Sequence, residues 1–385
     1  MVAPEPPWPT INGVRTKLAG FINQLGSSVD VLSPPGTGGQ PPPAATWTVF
    51  TVPVTERSRV RALASRNLPI AAHFPSSQVL GMLGRLLDSG ARYDVLHLDT
   101  LATAHLAAPL RRFMLGRGYR PTIVVSLNDS YSLLLSSGGL NDRLKPRMYC
   151  HYVKAVERRL LPDADWVDVV SEQDLAWLRD LVPRARTRLI PLGVDMAEFS
   201  GPRLEPRFEV LYLGTMAHHG FHWLRMALDS TIGLLRSRVP NARIAVAGPD
   251  ATPEALEYFA RHGVVHLGFV KDLSALLRST RLLLVSSRQR AGTPTKALQA
   301  MAAGTPVVGM EALDGIPQGR DNVSFSRATS WADLADRVAD ILSDEDLASR
   351  LGAGGRELAG RHHAWPVVRD RYFDFAGERG QAQPC

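Results

Sequence analysis

The chain has 385 residues, 45% of them hydrophobic, and a net charge of +7; that length predicts two to three domains of ~150 residues. Two cysteines, Cys150 and Cys385, provide no disulfide framework or metal-ligand spacing and suit a reducing compartment. No basic-apolar-small signal opens the sequence and no apolar run approaches the ~18 residues of a membrane-spanning helix, so a soluble, cytoplasmic protein is expected.

Val2-Ala3-Pro4 reads as the end of a first strand, either very short or begun upstream. PEPPWPTINGVRTKLAGFINQL then reads as a turn-rich loop opening a helix. Strands are expected at Val29–Leu32 and Trp47–Val52, on either side of Pro34–Pro43, a flexible loop by composition. Further strands are expected at Tyr93–Leu98, Thr122–Ser126 and Val167–Val170. Basic residues gather between Arg111 and Arg120 and between Arg143 and Arg159. Such charge suits a phosphate-rich small ligand, an anionic membrane surface or nucleic acid, or else forms a solvated helix face. Nucleic acid is the weakest of these, because no helix–turn–helix, RNP or zinc-finger pattern accompanies the charge.

The second half alternates more regularly. Strands are expected at Phe208–Leu213, Arg243–Ala247, Val264–Leu267, Arg281–Val285 and Pro306–Gly309. Helices are expected at Phe221–Arg238, Pro253–Arg261, Asp272–Arg278, Pro294–Ala303 and Trp331–Leu342. Such alternation predicts α/β domains with doubly wound parallel sheets. The expected division is a Rossmann-like domain over 1–195, a linker over 196–206 and a second Rossmann-like domain over 207–360. A C-terminal helix over 361–385 is expected to cross back to the first domain.

RQRAGTPTKALQAMAAGTPVVG, Arg288 to Gly309, is the most informative stretch. Thr293 is the expected N-cap, Pro294 the first helical residue and Gly304 the residue that ends the helix. A helix start after a parallel strand suits a phosphate, because its N–H groups are free and the dipole is positive there. Arg288 and Lys296 add formal charge for a diphosphate, and Gln299 lies one turn beyond Lys296. Gly214-Thr215 and Asn12-Gly13 open the two halves with loops that let backbone approach a ligand.

Read together, these segments resemble the retaining GT-B glycosyltransferases of the family-4, or group 1, type. The carriers are PPWPTINGVR, YDVLHLD, DVVSEQDLAWL, IPLGVDMAEF, LYLGTM, HLGFVKDL and GTPTKALQAMAAGTPVVG, in that order along nearly the whole chain. The resemblance implies two Rossmann-like domains facing each other across a cleft. It implies transfer of a sugar from a nucleotide-diphosphate donor, with retained anomeric configuration and without a metal or other cofactor. The expected acceptor is a small or lipid-linked molecule, and peripheral membrane contact is compatible with the basic stretches.

Site residues follow from the same resemblance. Similar enzymes carry two glutamates separated by seven residues, one at the sugar and one at the ribose; Ala291 and Gln299 stand at those positions here. A histidine often follows the fourth strand, and Asn128 and Asp129 of SLNDSYS occupy that place. Basic residues beyond Gly214 are replaced by MAHHGFH. The expected catalytic set is Arg288, Lys296, Asn128 and Asp129. The expected donor set is Gly13, Arg15, Gly214, Thr215, His219, Phe269, Gly292, Thr293 and Gln299. A catalytically silent GT-B partner or scaffold and a GT-B sugar epimerase are the alternatives.

Two metal-like patterns are declined. Asp163-Ala164-Asp165 mimics a metal-binding DxD but precedes a strand. His218, His219 and His222 lack an adjacent cysteine or acidic ligand.

Overall fold

The structure, a computed structural model, describes residues 1–5, 7, 13–25, 29–34, 47–52, 67–68, 74–137, 144–216 and 218–374. Asn12, most of Pro34–Pro43, Arg143 and Cys385 lie outside the described residues, as do the side chains of Arg15, His218 and His219. The chain divides into two compact units, Met1–Pro191 with Arg369–Cys385, and Leu192–Val368.

The first unit contains β1 (Val29–Ser33), β2 (Trp47–Thr51), β3 (Val95–Asp99), β4 (Thr122–Ser126), β5 (Trp166–Val169) and β6 (Thr187–Leu189). Its helices are α1 (Gly13–Gln24), α2 (Ser76–Asp88), α3 (Ala107–Leu115), α4 (Tyr131–Ser137), α5 (Leu144–Leu160) and α6 (Glu172–Leu181). β1 pairs with β2, and β3 to β6 pair in chain order, all in parallel. The strand end expected at Val2-Ala3-Pro4 joins the two groups. Val2 N–H donates to His97 O at 2.8 Å and Ala3 N–H to Leu32 O at 3.0 Å. Asp99 N–H donates to Val2 O at 2.9 Å, so this segment bridges β1 and β3. Strand order therefore reverses between Met1–Ala3 and β3, a position where open α/β sheets bind ligands at their carboxyl ends.

The second unit contains β7 (Phe208–Leu213), α7 (His218–Arg238), β8 (Ile244–Ala247), α8 (Pro253–Arg261), β9 (Val264–His266) and α9 (Leu273–Arg278). It continues with β10 (Thr280–Val285), α10 (Thr295–Ala302), β11 (Val307–Gly309), β12 (Ser326–Arg327), α11 (Trp331–Ser343) and α12 (Glu345–Leu358). The last helix, α13 (Trp365–Phe373), runs through the division between the units. The parallel sheet has the order β12-β11-β10-β7-β8-β9. This is the Rossmann order, with its reversal between β7 and β10.

Local chemistry explains these elements. Every residue of Ile244–Ala247 is buried, as expected for a parallel strand covered on both faces. Ser171, Thr252, Asp272, Ser330 and Asp344 cap helices by accepting a backbone N–H three residues on. Val125, Ile123, Leu98 and Met114 lie in the first core; Val246, Leu282, Leu224 and Phe259 lie in the second.

Three expectations change. The stretch 196–206, expected as a linker, falls inside the second unit. Arg203 pins it there by donating to Thr305 Oγ1 at 2.6 Å, to Leu277 O at 3.0 Å and to Thr280 O. β6 and β12 were not expected, since TRL and SR carry too little apolar sequence to signal a strand. The helix after β10 starts at Thr295, because Pro294 is extended at φ −70° and ψ 96°. Thr293 is thus not its N-cap; its hydroxyl donates instead to Gly315 O at 2.6 Å.

Candidate active site

At the reversal in the second unit, the loops after β7 and β10 adjoin the carboxyl ends of paired strands. Gly214 follows β7, and its N–H donates to Ala247 O at 3.0 Å. Thr215 Oγ1 donates to Asp250 Oδ2 at 3.3 Å. The loop after β10 carries Arg288, Gly292 and Thr293 into α10. Gly292 has φ +74°, and a Cβ on Gly315 would lie 2.2 Å from Gly292 O. Two glycines thus permit backbone against backbone, and the Thr293 hydroxyl fixes the loop on that contact.

Lys296 lies in the first turn of α10. No hydrogen bond or ion pair holds its ammonium among the described residues, in contrast to the paired arginines around it. Its side chain is exposed to solvent, yet protein crowds the ammonium, and that desolvation lowers its pKa to about 8. Gln299 is half-buried three residues on, and its amide has no hydrogen bond among the described residues. Ala291 gives the loop no side-chain acceptor. α10 closes at Gly304, φ +70°, in a Schellman arrangement: Gly304 N–H donates to Met301 O and Thr305 N–H to Ala300 O.

Arg288 departs from expectation. Its Nε donates to both carboxylate oxygens of Glu311 at 3.1 and 2.9 Å, and its Nη2 also donates to Glu311. The paired carboxylate offsets the charge expected for a diphosphate, leaving Nη1 as the uncommitted nitrogen among the described residues. Sequence reasoning missed Glu311; its only signal is its place two residues past β11. Phe269 follows β9 with 66% of its surface exposed. His219 lies in the first turn of α7.

The second group of expected residues sits at the reversal in the first unit. Gly13 begins α1, which also carries Arg15. Lys17, one turn on from Gly13, was missed, although that spacing puts it on the same helix face. Its ammonium donates to Asn128 Oδ1 and to Ser126 Oγ at 3.4 Å, and lies 3.7 Å from Asp99 Oδ1. Asp99 ends β3, is 1% exposed, and its Oδ2 has no hydrogen-bond partner among the described residues. Burial raises the Asp99 pKa and Lys17 opposes the rise.

Asp129 follows directly. Burial and the neighbouring Asp174 carboxylate raise its pKa to about 6, against an opposing effect of Lys17. Its loop is anchored from beneath: Ser130 N–H donates to Asp174 Oδ1 at 2.7 Å, and Ser132 N–H to Glu157 Oε1 at 3.2 Å. The structure thus joins Asn128 to Lys17 and Asp99, and holds Asp129 near Lys17 with its pKa raised to about 6 by burial and Asp174.

Asp165 of the declined DxD is engaged elsewhere, with Arg111 at 3.0 Å and with the Ile123 N–H at 2.8 Å.

Two Rossmann-type units in one chain, each a parallel sheet with polar residues at its strand-order reversal, are the parts from which GT-B enzymes are built. Residues 207–344 match the family model described as glycosyl transferases group 1, and residues 13–193 match that of a glycosyl transferase 4-like domain. The chain belongs to the group 1 GT-B glycosyltransferases. Solved structures agree on the fold. Sucrose-phosphate synthase of Thermosynechococcus elongatus is 17% identical, with a TM-score of 0.73 over 99% of this chain and 98% of that one. HepE of Anabaena, in complex with UDP and glucose, is 15% identical, with a TM-score of 0.68 over 99% and 98%. WaaG, a glycosyltransferase involved in lipopolysaccharide biosynthesis, is 16% identical, with a TM-score of 0.65 over 96% and 97%. A sequence search of curated proteins gives no match. Among the described residues, no helix is long and apolar enough to cross a membrane.

Proposed function

We propose that this glycosyltransferase moves a sugar from a nucleotide-diphosphate donor to a small or lipid-linked acceptor in the cytoplasm, with retention and without a metal. The observation that carries this reading is Lys296, an ammonium without a partner among the described residues, in the first turn of α10. HepE structures containing UDP and UDP-glucose lend support to a nucleotide-sugar donor.

In this proposal, Lys296 and the N–H groups at the start of α10 bind the diphosphate and stabilise the charge it gains on leaving. Arg288 contributes through Nη1 and is held in place by Glu311. Gly214, Thr215, His219 and Phe269 border the donor, and Gly292 and Thr293 shape the loop. Gly13 and Arg15 are kept in the proposed donor set. The anomeric carbon–oxygen bond to the diphosphate breaks as the acceptor oxygen bonds the same face. The acceptor's proton passes to a diphosphate oxygen. Asn128 and ionised Asp129 orient the reacting hydroxyl by hydrogen bonding.

This assignment predicts a bell-shaped pH profile for kcat/KM. Asp129 gains its charge as pH rises through about 6, and Lys296 loses its charge as pH rises through about 8. Activity therefore climbs through the first value and falls beyond the second. Lys296→Arg should flatten the alkaline limb, since arginine stays charged. A wild-type profile flat from pH 5 to 9 contradicts both assignments.

Gln299 is assigned to the ribose. A glutamate would accept two hydroxyl hydrogen bonds as an anion but would add negative charge one turn from Lys296. Gln299→Glu should therefore keep nucleoside-diphosphate affinity within about tenfold, or ~1.4 kcal/mol. Gln299→Leu should cost more, because the ribose hydroxyls lose a partner. Calorimetry of both variants checks this, and wild-type affinity in Gln299→Leu removes the residue from the ribose. Ala291 supports a second reading, a silent GT-B partner that binds a donor without transferring its sugar.

A further inference from the structure

The first unit has a basic recess at the end of its sheet opposite Lys17, Asp99 and Asn128. It is about 430 Å³ and lies at the amino ends of β4 and β5, with Arg186 just before β6. Arg111 reaches it from α3, Arg120 from the loop before β4, and Arg186 from the loop before β6. Tyr119 and Trp166 supply aromatic walls, and Asp165 is the lining carboxylate.

The charges in this recess are not balanced internally. Asp165 already accepts from Ile123 N–H and pairs with Arg111, which also donates to Asp163 O at 3.0 Å. The side chains of Arg120 and Arg186 have no hydrogen bond or ion pair among the described residues. Three arginines from separate elements thus line one recess with a single carboxylate, which is itself engaged. Planar guanidinium forks match phosphate oxygens in pairs, and the volume falls within the ~300–1,000 Å³ of small-molecule sites. Open α/β sheets carry out their chemistry at the carboxyl ends of strands, so this recess is separate from the reaction residues.

We propose that Arg111, Arg120 and Arg186 form a second ligand site, which binds a phosphate group of a soluble phosphoester or of a phospholipid headgroup. The site gives a use to Arg111 and Arg120 of the basic stretch, which the proposed transfer reaction does not employ.

The test is calorimetric titration of the full chain with inorganic pyrophosphate, comparing wild type, Arg120→Ala/Arg186→Ala and Lys296→Ala. Both replaced arginines are exposed, so unchanged melting is expected for the double variant. The expected result is a binding event that Lys296→Ala retains and the double variant weakens at least about tenfold, the loss of roughly one charged hydrogen bond. Flotation with phosphatidylcholine vesicles containing phosphatidylglycerol identifies the source of the phosphate. Arginine-dependent flotation assigns a lipid headgroup, and arginine-dependent pyrophosphate binding without flotation assigns a soluble ligand. If the double variant binds both probes as wild type does, or wild type binds neither, the proposal is overturned.

Discussion

Replacing Lys296 with alanine is expected to weaken nucleoside-diphosphate binding by about 1.5–3 kcal/mol, a factor of roughly ten to one hundred. The bare nucleoside should bind as before, because the contact proposed for Lys296 is to phosphate. The loss in kcat/KM should exceed the loss in affinity, since charge on the leaving diphosphate grows towards the transition state. Lys296 stands apart from its neighbours in this respect. Arg288 is paired with Glu311, and Arg327 Nε and Nη2 donate to Asp314 at 2.6 and 2.8 Å. Those arginines already have anionic partners, whereas Lys296 has none among the described residues. Calorimetry with nucleoside diphosphate and nucleoside, alongside steady-state rates, separates the two effects. Unchanged diphosphate affinity would remove Lys296 from the site.

The second large effect is on stability. Arg188 Nε and Nη2 donate to Asp168 at 2.6 and 3.1 Å, and Nη1 donates to Tyr372 O at 3.1 Å. Both side chains are almost fully buried, at 3% and 2% exposure. Asp168→Ala would take away the carboxylate that Nε and Nη2 of this buried guanidinium contact, at a cost of about 3–5 kcal/mol. Arg188 also holds α13 through Tyr372 O, and the Tyr372 side chain is itself hydrogen-bonded to His97 Nδ1 at 2.9 Å and packs edge-on against Phe21. Burial, with Lys17 adding to it, drives the His97 pKa well down, so the imidazole is neutral. The first unit should melt roughly 6–20 °C lower in Asp168→Ala, taking 2–4 °C per kcal/mol. Replacing both partners, as Asp168→Leu with Arg188→Met, should recover much of the loss. Scanning calorimetry of single and double variants checks this, and a shift below 2 °C in Asp168→Ala would refute it.

The sequence made the sheets readable where apolar runs are continuous. Thr122–Ser126 and Phe208–Leu213 have the expected limits. Burial of a parallel strand on both faces writes itself into such runs. Short edge strands such as Ser326–Arg327 leave no comparable trace. The candidate site was partly readable because its residues lie together in the sequence. Gly292, Thr293, Lys296 and Gln299 are close in sequence, so a single stretch displays them.

Long-range pairing was hidden. Nothing local to Arg288 indicates that Glu311, 23 residues on, neutralises it. Lys17 and Asn128 meet across 111 positions. Thr293 read as a cap because its acceptor oxygen suits that role, but the fold uses its proton instead, on Gly315.

The most direct test of the account is turnover of nucleotide sugars by the full chain in EDTA, read as nucleoside diphosphate released across a panel of donors. The account predicts that at least one donor is consumed with its anomeric configuration retained in the product. It also predicts that added magnesium or manganese is not required and that Lys296→Ala slows release at least tenfold. Tight nucleoside-diphosphate binding with no turnover of any donor would contradict it and favour the silent partner. Turnover lost in EDTA and restored by magnesium or manganese would contradict the metal-independent mechanism.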